Sequence, residues 1–174
     1  MNENLKFLKE VFESESLPEE SLPEFVFWGR SNVGKSSLIN SITKSKIAKT
    51  SKTPGRTRSL VFFEFEKKIR IIDFPGYGYS KIPKFNEFKI DRLIENYLTQ
   101  RQVLKFIFLL IDARHGIMEI DKKILDQLDK ILGSKVIIIF TKIDKLKNQD
   151  DKQNLLRNNE QINQIFDKTF FNTS

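Results

Sequence analysis

Along the 174 residues, short apolar runs alternate with longer stretches whose apolar positions recur every three or four residues. The runs Glu24–Trp28, Leu60–Glu66, Ile69–Phe74, Leu104–Ile111, Lys135–Phe140 and Thr169–Phe171 predict strands. Helices are predicted over Lys35–Thr43, Asn86–Thr99, Glu119–Leu132 and Gln149–Phe166. In Asn86–Thr99 the residues Phe88, Ile90, Leu93, Ile94, Tyr97 and Leu98 fall at amphipathic spacing. The Lys67-Lys68 pair between two apolar runs predicts a tight antiparallel hairpin. Strands that alternate with helices imply a three-layer α/β domain, with a mostly parallel sheet, one antiparallel edge strand and helices on both faces. Ligands of such sheets sit beyond the carboxyl ends of the strands.

The loop after the first of these strands, Gly29-Arg30-Ser31-Asn32-Val33-Gly34-Lys35-Ser36, fits G-x-x-x-x-G-K-[ST] and opens a predicted helix. Its glycines let successive backbone N–H groups face phosphates, and the helix N-terminus adds partial positive charge. Lys35 is expected to reach the β- and γ-phosphates and Ser36 to bind Mg²⁺, with Ser37 beside them. The domain is therefore expected to be a P-loop NTPase.

Asp73-Phe74-Pro75-Gly76 closes the strand Ile69–Phe74 and fits D-x-x-G. Asp73 can hold Mg²⁺ through water, and Gly76 lets a backbone N–H approach the γ-phosphate. Between the two motifs, Thr50-Ser51-Lys52-Thr53-Pro54-Gly55-Arg56-Thr57-Arg58-Ser59 should supply a mobile threonine for the Mg²⁺ shell, Thr57 first and Thr53 as fallback. A plain turn on Pro54-Gly55 is the simpler reading of that segment taken alone. Lys35, Thr57 and Gly76 are the expected catalytic set, and Ser36, Thr57 and Asp73 the expected metal set.

Thr141-Lys142-Ile143-Asp144 follows a buried apolar run and fits [NT]-K-x-D. A carboxylate at Asp144 can accept from the N1–H and N2–H₂ donors of guanine, a pair adenine lacks. Lys142 would lie along the base plane. Asn172-Thr173-Ser174, after the last short strand, is placed to offer a backbone N–H to guanine O6.

Composition narrows the setting. There is no cysteine, so no disulfide or thiolate metal site is available. The apolar runs are too short to span a bilayer, and the N-terminus lacks a signal-peptide pattern, so the expected location is cytoplasmic. The net charge of +7 is uneven. Residues 1–24 hold seven Glu against two Lys, whereas residues 30–105 hold seventeen Lys or Arg against six acids. A solvated Lys-rich surface is the plain reading, but this excess also suits a polyanionic partner such as RNA. Residues 1–23 read as an acidic lead-in, with residues 24–174 as the nucleotide-binding domain.

GRSNVGKSSLIN (residues 29–40), SKTPGRT (51–57), DFPGYGYS (73–80), IDARHG (111–116) and TKIDK (141–145) together resemble the EngB (YsxC/YihA) family of bacterial GTP-binding proteins, Era-like P-loop GTPases. The resemblance implies a GTP/GDP switch with slow Mg²⁺-dependent hydrolysis. It also implies a role in large ribosomal subunit assembly, with ribosomal RNA as partner and effects on cell division and septation. A monomer is expected. Family members usually continue into a further helix after the last base-contacting loop, so one apolar sheet face is expected to be partly bare here. Where many GTPases carry a water-orienting Gln, this chain has Tyr77. Slow turnover speeded by a partner or a monovalent cation is the expectation, with the Asn32 side chain as candidate K⁺ ligand. Rival readings are a P-loop ATPase or small-molecule kinase, and a nucleotide-regulated RNA-binding module with incidental turnover.

Overall fold

The computed structural model describes residues 5–48, 59–78, 84–147, 149–166 and 169–173. Among these residues seven strands build one sheet: β1 (Leu5–Val11), β2 (Glu24–Gly29), β3 (Leu60–Phe65), β4 (Ile69–Asp73), β5 (Leu104–Asp112), β6 (Val136–Thr141) and β7 (Thr169–Asn172). Their spatial order is β1-β3-β4-β2-β5-β6-β7. Strands β4, β2, β5, β6 and β7 are parallel, β3 runs antiparallel to β4, and β1 runs antiparallel to β3 at the outer edge. The mostly parallel sheet expected from the sequence is therefore present, and its antiparallel side is longer by one strand. Residues 5–11, read from sequence as part of an acidic lead-in, supply that strand.

Strand β1 is hard to see in sequence because only its ends are buried. Leu5 and Val11 are inside, the five residues between them are exposed, and the register shifts between Phe7 and Lys9. That irregularity breaks the two-residue alternation by which a half-buried strand is read.

Among the described residues four α-helices connect the strands: α1 (Lys35–Thr43), α2 (Lys84–Gln100), α3 (Glu119–Leu132) and α4 (Gln149–Phe166). Alternate residues of the central strands face opposite sides, and the core divides accordingly. On one side Trp28, Phe62, Ile72, Phe74, Ile107, Leu109 and Phe140 pack with Ile90, Leu93 and Tyr97 of α2, Leu125 and Leu128 of α3, and Leu155 of α4. On the other, Phe27, Phe63, Ile71 and Leu110 pack with Val33 of the loop before α1 and Ile39 of α1. Phe25 stacks between Phe106 and Phe108 on this face, where Phe106 is 39% exposed, and Phe171 is 54% exposed.

The opposite end of the sheet is fixed by a buried charge cluster. Glu24 is fully buried and accepts from Arg101 Nε (2.8 Å), Arg101 Nη2 (2.7 Å) and the Tyr97 hydroxyl (2.7 Å). Arg70 Nη1 lies 3.3 Å from the same carboxylate, and Arg70 Nη2 also holds Ser21. Arg101 donates to Pro18 O as well, so the cluster ties the 18–21 loop to β2 and α2. Leaving a carboxylate dry is costly unless its lone pairs are filled in this way. Its anchoring role leaves the carboxyl ends of the strands free to carry chemistry.

Candidate nucleotide site

Four of the segments singled out by sequence meet at the carboxyl ends of β2, β4, β6 and β7. The loop Gly29–Ser36 leaves β2 tightly against β5: a Cβ on Gly29 would stand 2.6 Å from the Leu110 carbonyl oxygen. Asn32 (φ 64°) and Gly34 (φ 105°) are left-handed, and Gly34 caps α1. Two carbonyls of the loop are held from outside. The Thr141 hydroxyl donates to Val33 O at 2.7 Å, and Lys142 Nζ donates to Asn32 O at 2.7 Å. Because the two polar ends of a planar trans peptide point oppositely, fixing the Val33 carbonyl aims the Gly34 N–H the other way, into the loop. Such a cradle at a helix N-terminus suits an anion.

Lys35 Nζ pairs with Asp73 Oδ1 across this loop, and Ser36 Oγ lies 3.4 Å from Asp73 Oδ2. A hydroxyl and a carboxylate side by side are hard oxygen donors. They fit Mg²⁺, which keeps most of its waters and takes only one or two protein ligands beside phosphate oxygens. Among the described residues no cluster of three or more His, Cys, Asp or Glu stands elsewhere as a competing metal site.

The segment after Asp73 folds onto the phosphate loop. Phe74 N donates to Phe27 O, Tyr77 N to Gly29 O and Ser31 N to Tyr77 O. Gly76 has no room for a side chain, since a Cβ there would come within 2.9 Å of the Ser31 backbone. The Phe74 side chain is fully buried in the core against Tyr97, so only its backbone faces the site. Pro75 O accepts from Trp28 Nε1 at 3.0 Å, which makes Trp28 a direct reporter of this segment. Tyr77 occupies the position of the water-orienting Gln, but its ring packs on Trp28 and its hydroxyl donates to Asp121 Oδ1 at 2.7 Å. Burial, then the Asp121 charge, push the Tyr77 hydroxyl far above its ordinary pKa, so it stays a neutral donor. Asp121 also accepts from Met118 N, joining this segment to the first turn of α3.

Lys142 is left-handed (φ 61°) as the chain leaves β6, and Ile143–Lys145 form one 3₁₀ turn. Asp144 is exposed, with Lys145 Nζ at 3.1 Å. Thr173 N donates to Phe140 O at 2.8 Å, which brings the end of β7 with Asn172 beside the Lys142–Asp144 turn. Ser37 is exposed on α1. Ser59 is buried, its hydroxyl donating to Glu10 of β1 at 2.5 Å. Thr53, Gly55, Arg56, Thr57, Arg58 and Ser174 lie outside the described residues.

Sequence reasoning passed over Asp112, which closes β5 and binds both Lys142 (2.8 Å) and Arg114 (2.7 Å). Burial raises its pKa, but hydrogen bonds from Arg114 and Lys142 outweigh that and hold the carboxyl far below the usual carboxylate range. Beside it, a polar cleft of about 410 Å³ runs along Arg114 and His115 to Asn154 and Arg157 of α4. It lies away from the phosphate loop.

The model of the 50S ribosome-binding GTPase family matches residues 24–142. A relative named "Probable GTP-binding protein EngB" from Mycoplasmopsis synoviae (strain 53) is 48% identical over 149 residues, 86% of this chain and 77% of its own. The chain belongs to the EngB family of GTP-binding proteins. A second EngB relative, from Aquifex aeolicus (strain VF5), is 44% identical over 142 residues, covering 81% of this chain and 76% of that protein. Among solved structures, a probable GTP-binding protein engB superposes with a TM-score of 0.63 at 30% identity, covering 86% of this chain and 88% of that one. Aquifex aeolicus Era bound to GDP·AlF₄⁻ superposes with a TM-score of 0.68 at 23% identity, over 87% of this chain and 50% of that one, and shows the shared fold. As an EngB protein the chain is a P-loop GTPase that binds GTP and GDP.

Proposed function

We propose that this EngB protein is a nucleotide switch in assembly of the large ribosomal subunit, needed through that role for normal cell division and septation. The observation that carries the nucleotide half is the meeting of Lys35, Ser36 and Asp73 with the Lys142–Asp144 turn around one cradle. Support for the ribosomal half comes from the description of the matching family and from the basic excess over residues 30–105. Neutralising nucleic-acid phosphates releases counterions and makes binding salt-sensitive. The working form is a cytoplasmic monomer, and no helix among the described residues is long and apolar enough to cross a membrane.

Hydrolysis is read from the roles these residues would take. The loop's N–H groups and Lys35 hold the phosphate chain, and the charge that spreads over the γ-phosphoryl oxygens is met by fixed donors. Ser36 and Asp73, together with Thr57 from the segment outside the described residues, would hold Mg²⁺, which would supply further charge neutralisation when bound. Gly76 offers its N–H to the γ-phosphate, so the Asp73–Tyr77 segment senses whether that group is present. Asp144 reads guanine N1–H and N2–H₂, Lys142 lies along the base, and Asn172–Ser174 contact its O6. Tyr77 cannot orient the attacking water, because its hydroxyl is committed to Asp121. Turnover by the chain alone is accordingly slow, and a ribosomal partner or a K⁺ ion on the Asn32 side chain speeds it.

The test is a titration with GDP, a non-hydrolysable GTP analogue and the matching ATP analogue in Mg²⁺, followed by co-sedimentation with large-subunit particles over a salt series. Guanine nucleotides should bind at micromolar levels with adenine nucleotides undetected, and the GTP-analogue form should pellet in a salt-dependent way. Equal binding of both bases would remove the role of Asp144. Failure to pellet in either nucleotide state would remove the ribosomal role, and equal rates in KCl and NaCl the cation.

A further inference from the structure

We propose that Asp112 is a positioning residue for guanine recognition, which pins Lys142 so that the lysine stem lies along the base. The inference rests on the guanine-binding reading above. Asp112 ends β5 directly opposite Thr141 in the sheet register, one residue before Lys142. Lys142 Nζ has two acceptors: Asp112 Oδ2 at 2.8 Å and Asn32 O at 2.7 Å. The side chain is therefore stretched between the end of β6 and two fixed points, one on β5 and one on the phosphate loop. A free lysine stem has four rotatable bonds and a strongly hydrated head, and two anchors remove most of that freedom before any base arrives.

The carboxylate is itself immobilised. Arg114 grips it in fork geometry, Nε to Oδ1 at 2.9 Å and Nη2 to Oδ2 at 2.7 Å, and Arg114 N donates to Oδ1 at 3.1 Å. Arg114 alone already compensates the charge of the buried Asp112, so the ion pair does not need Lys142 to be stable. Lys142 is the member that depends on Asp112: without it the ammonium keeps only one neutral carbonyl and is drawn back into water. Asp112 thus acts on the base through Lys142, and Arg114 acts as its strut.

The test measures the affinities of GDP and inosine diphosphate, which lacks the 2-amino group, for the full chain and for Asp112→Asn, each with and without Lys142→Met. In Asp112→Asn both nucleotides should weaken about ten-fold, the loss of one charged hydrogen bond's worth of positioning. The preference for GDP over inosine diphosphate should persist, because Asp144 still reads the ring edge. In the Lys142→Met background Asp112→Asn should cost nothing further. Unchanged affinity, an equal loss in the Lys142→Met background, or collapse of the GDP preference would overturn the proposal. Should Asp112→Asn fail to fold, Arg114→Gln, at a half-exposed side chain, is measured instead. It should weaken both nucleotides about three-fold without adding to Lys142→Met, and no loss would again overturn the proposal. A wild-type chain that binds no GDP would refute the guanine reading rather than the role of Asp112.

Discussion

Lys35 and Asp73 form an ion pair beneath the phosphate loop, both side chains about nine-tenths buried. Breaking one side of such a pair strands a poorly solvated charge, whereas replacing both sides by apolar groups of similar volume does not. Asp73→Ala should therefore cost about 3 kcal/mol of folding stability, and Lys35→Met combined with Asp73→Leu distinctly less. Urea midpoints of the single and double variants check this. A double variant no more stable than Asp73→Ala would show that the pair is not the source of the loss.

Gly76 lies on Ser31 so closely that any Cβ must move backbone. Gly76→Ala should push the Asp73–Tyr77 segment off the phosphate loop. Displacements near 1 Å at a reacting group cost on the order of 100-fold in rate. GTP hydrolysis should fall by about that factor, with GDP affinity within about three-fold of wild type because the Lys142–Asp144 turn is untouched and the displaced segment faces the γ-phosphate. Parallel single-turnover and GDP-binding measurements decide it, and equal losses in both would argue for general collapse of the site.

How much of this was legible in the sequence depends on whether a residue acts through its neighbours in the chain or through space. Gly29–Ser36, Asp73–Gly76 and Thr141–Asp144 are local patterns at strand ends, and the strands and helices around them fall within a few residues of their expected bounds. Strand β1 was not legible, because its middle five residues face solvent and the register shift hides its period. Asp112 was visible within IDARHG, but its meaning comes from Lys142, thirty residues away in sequence and adjacent only across the β5–β6 register. Likewise the Tyr77–Asp121 bond explains where a tyrosine in the Gln position goes, and no spacing rule predicts a partner forty-four residues on.

The β3–β4 hairpin turns one residue earlier than the Lys67-Lys68 pair suggested. Lys68 N donates to Phe65 O, and the two central residues, Glu66 (φ 52°) and Lys67 (φ 56°), are both left-handed. That is the pattern of a primed turn, which Asn-Gly fits at little steric cost and Glu-Lys does not. Replacing Glu66-Lys67 by Asn-Gly should raise stability by about 1 kcal/mol, or roughly 3 °C in Tm for a chain of this size. The Lys68–Glu66 ion pair that is lost is exposed and 3.7 Å long, so it subtracts little. A fall in Tm would mean that the turn is not held in this conformation.

Asp112 gives the protein a specific acid sensitivity. Although burial alone would raise its pKa, the hydrogen bonds from Arg114 and Lys142 hold it well below the unfolded value of about 4. A carboxyl whose folded pKa is depressed stabilises the fold at every pH above its unfolded pKa, and that stability is lost as pH falls toward the folded value. Asp112→Asn has no such titration. The variant should be less stable than wild type by about 2 kcal/mol at pH 6, and the gap should narrow to below about 1 kcal/mol by pH 3. The other acids are common to both proteins and cancel in the difference, so denaturant midpoints at pH 6, 5, 4 and 3 isolate this group. A gap that stays constant down to pH 3 would mean that Asp112 is not held ionised by Arg114 and Lys142, and the bridge from β5 to Lys142 would lose its electrostatic basis.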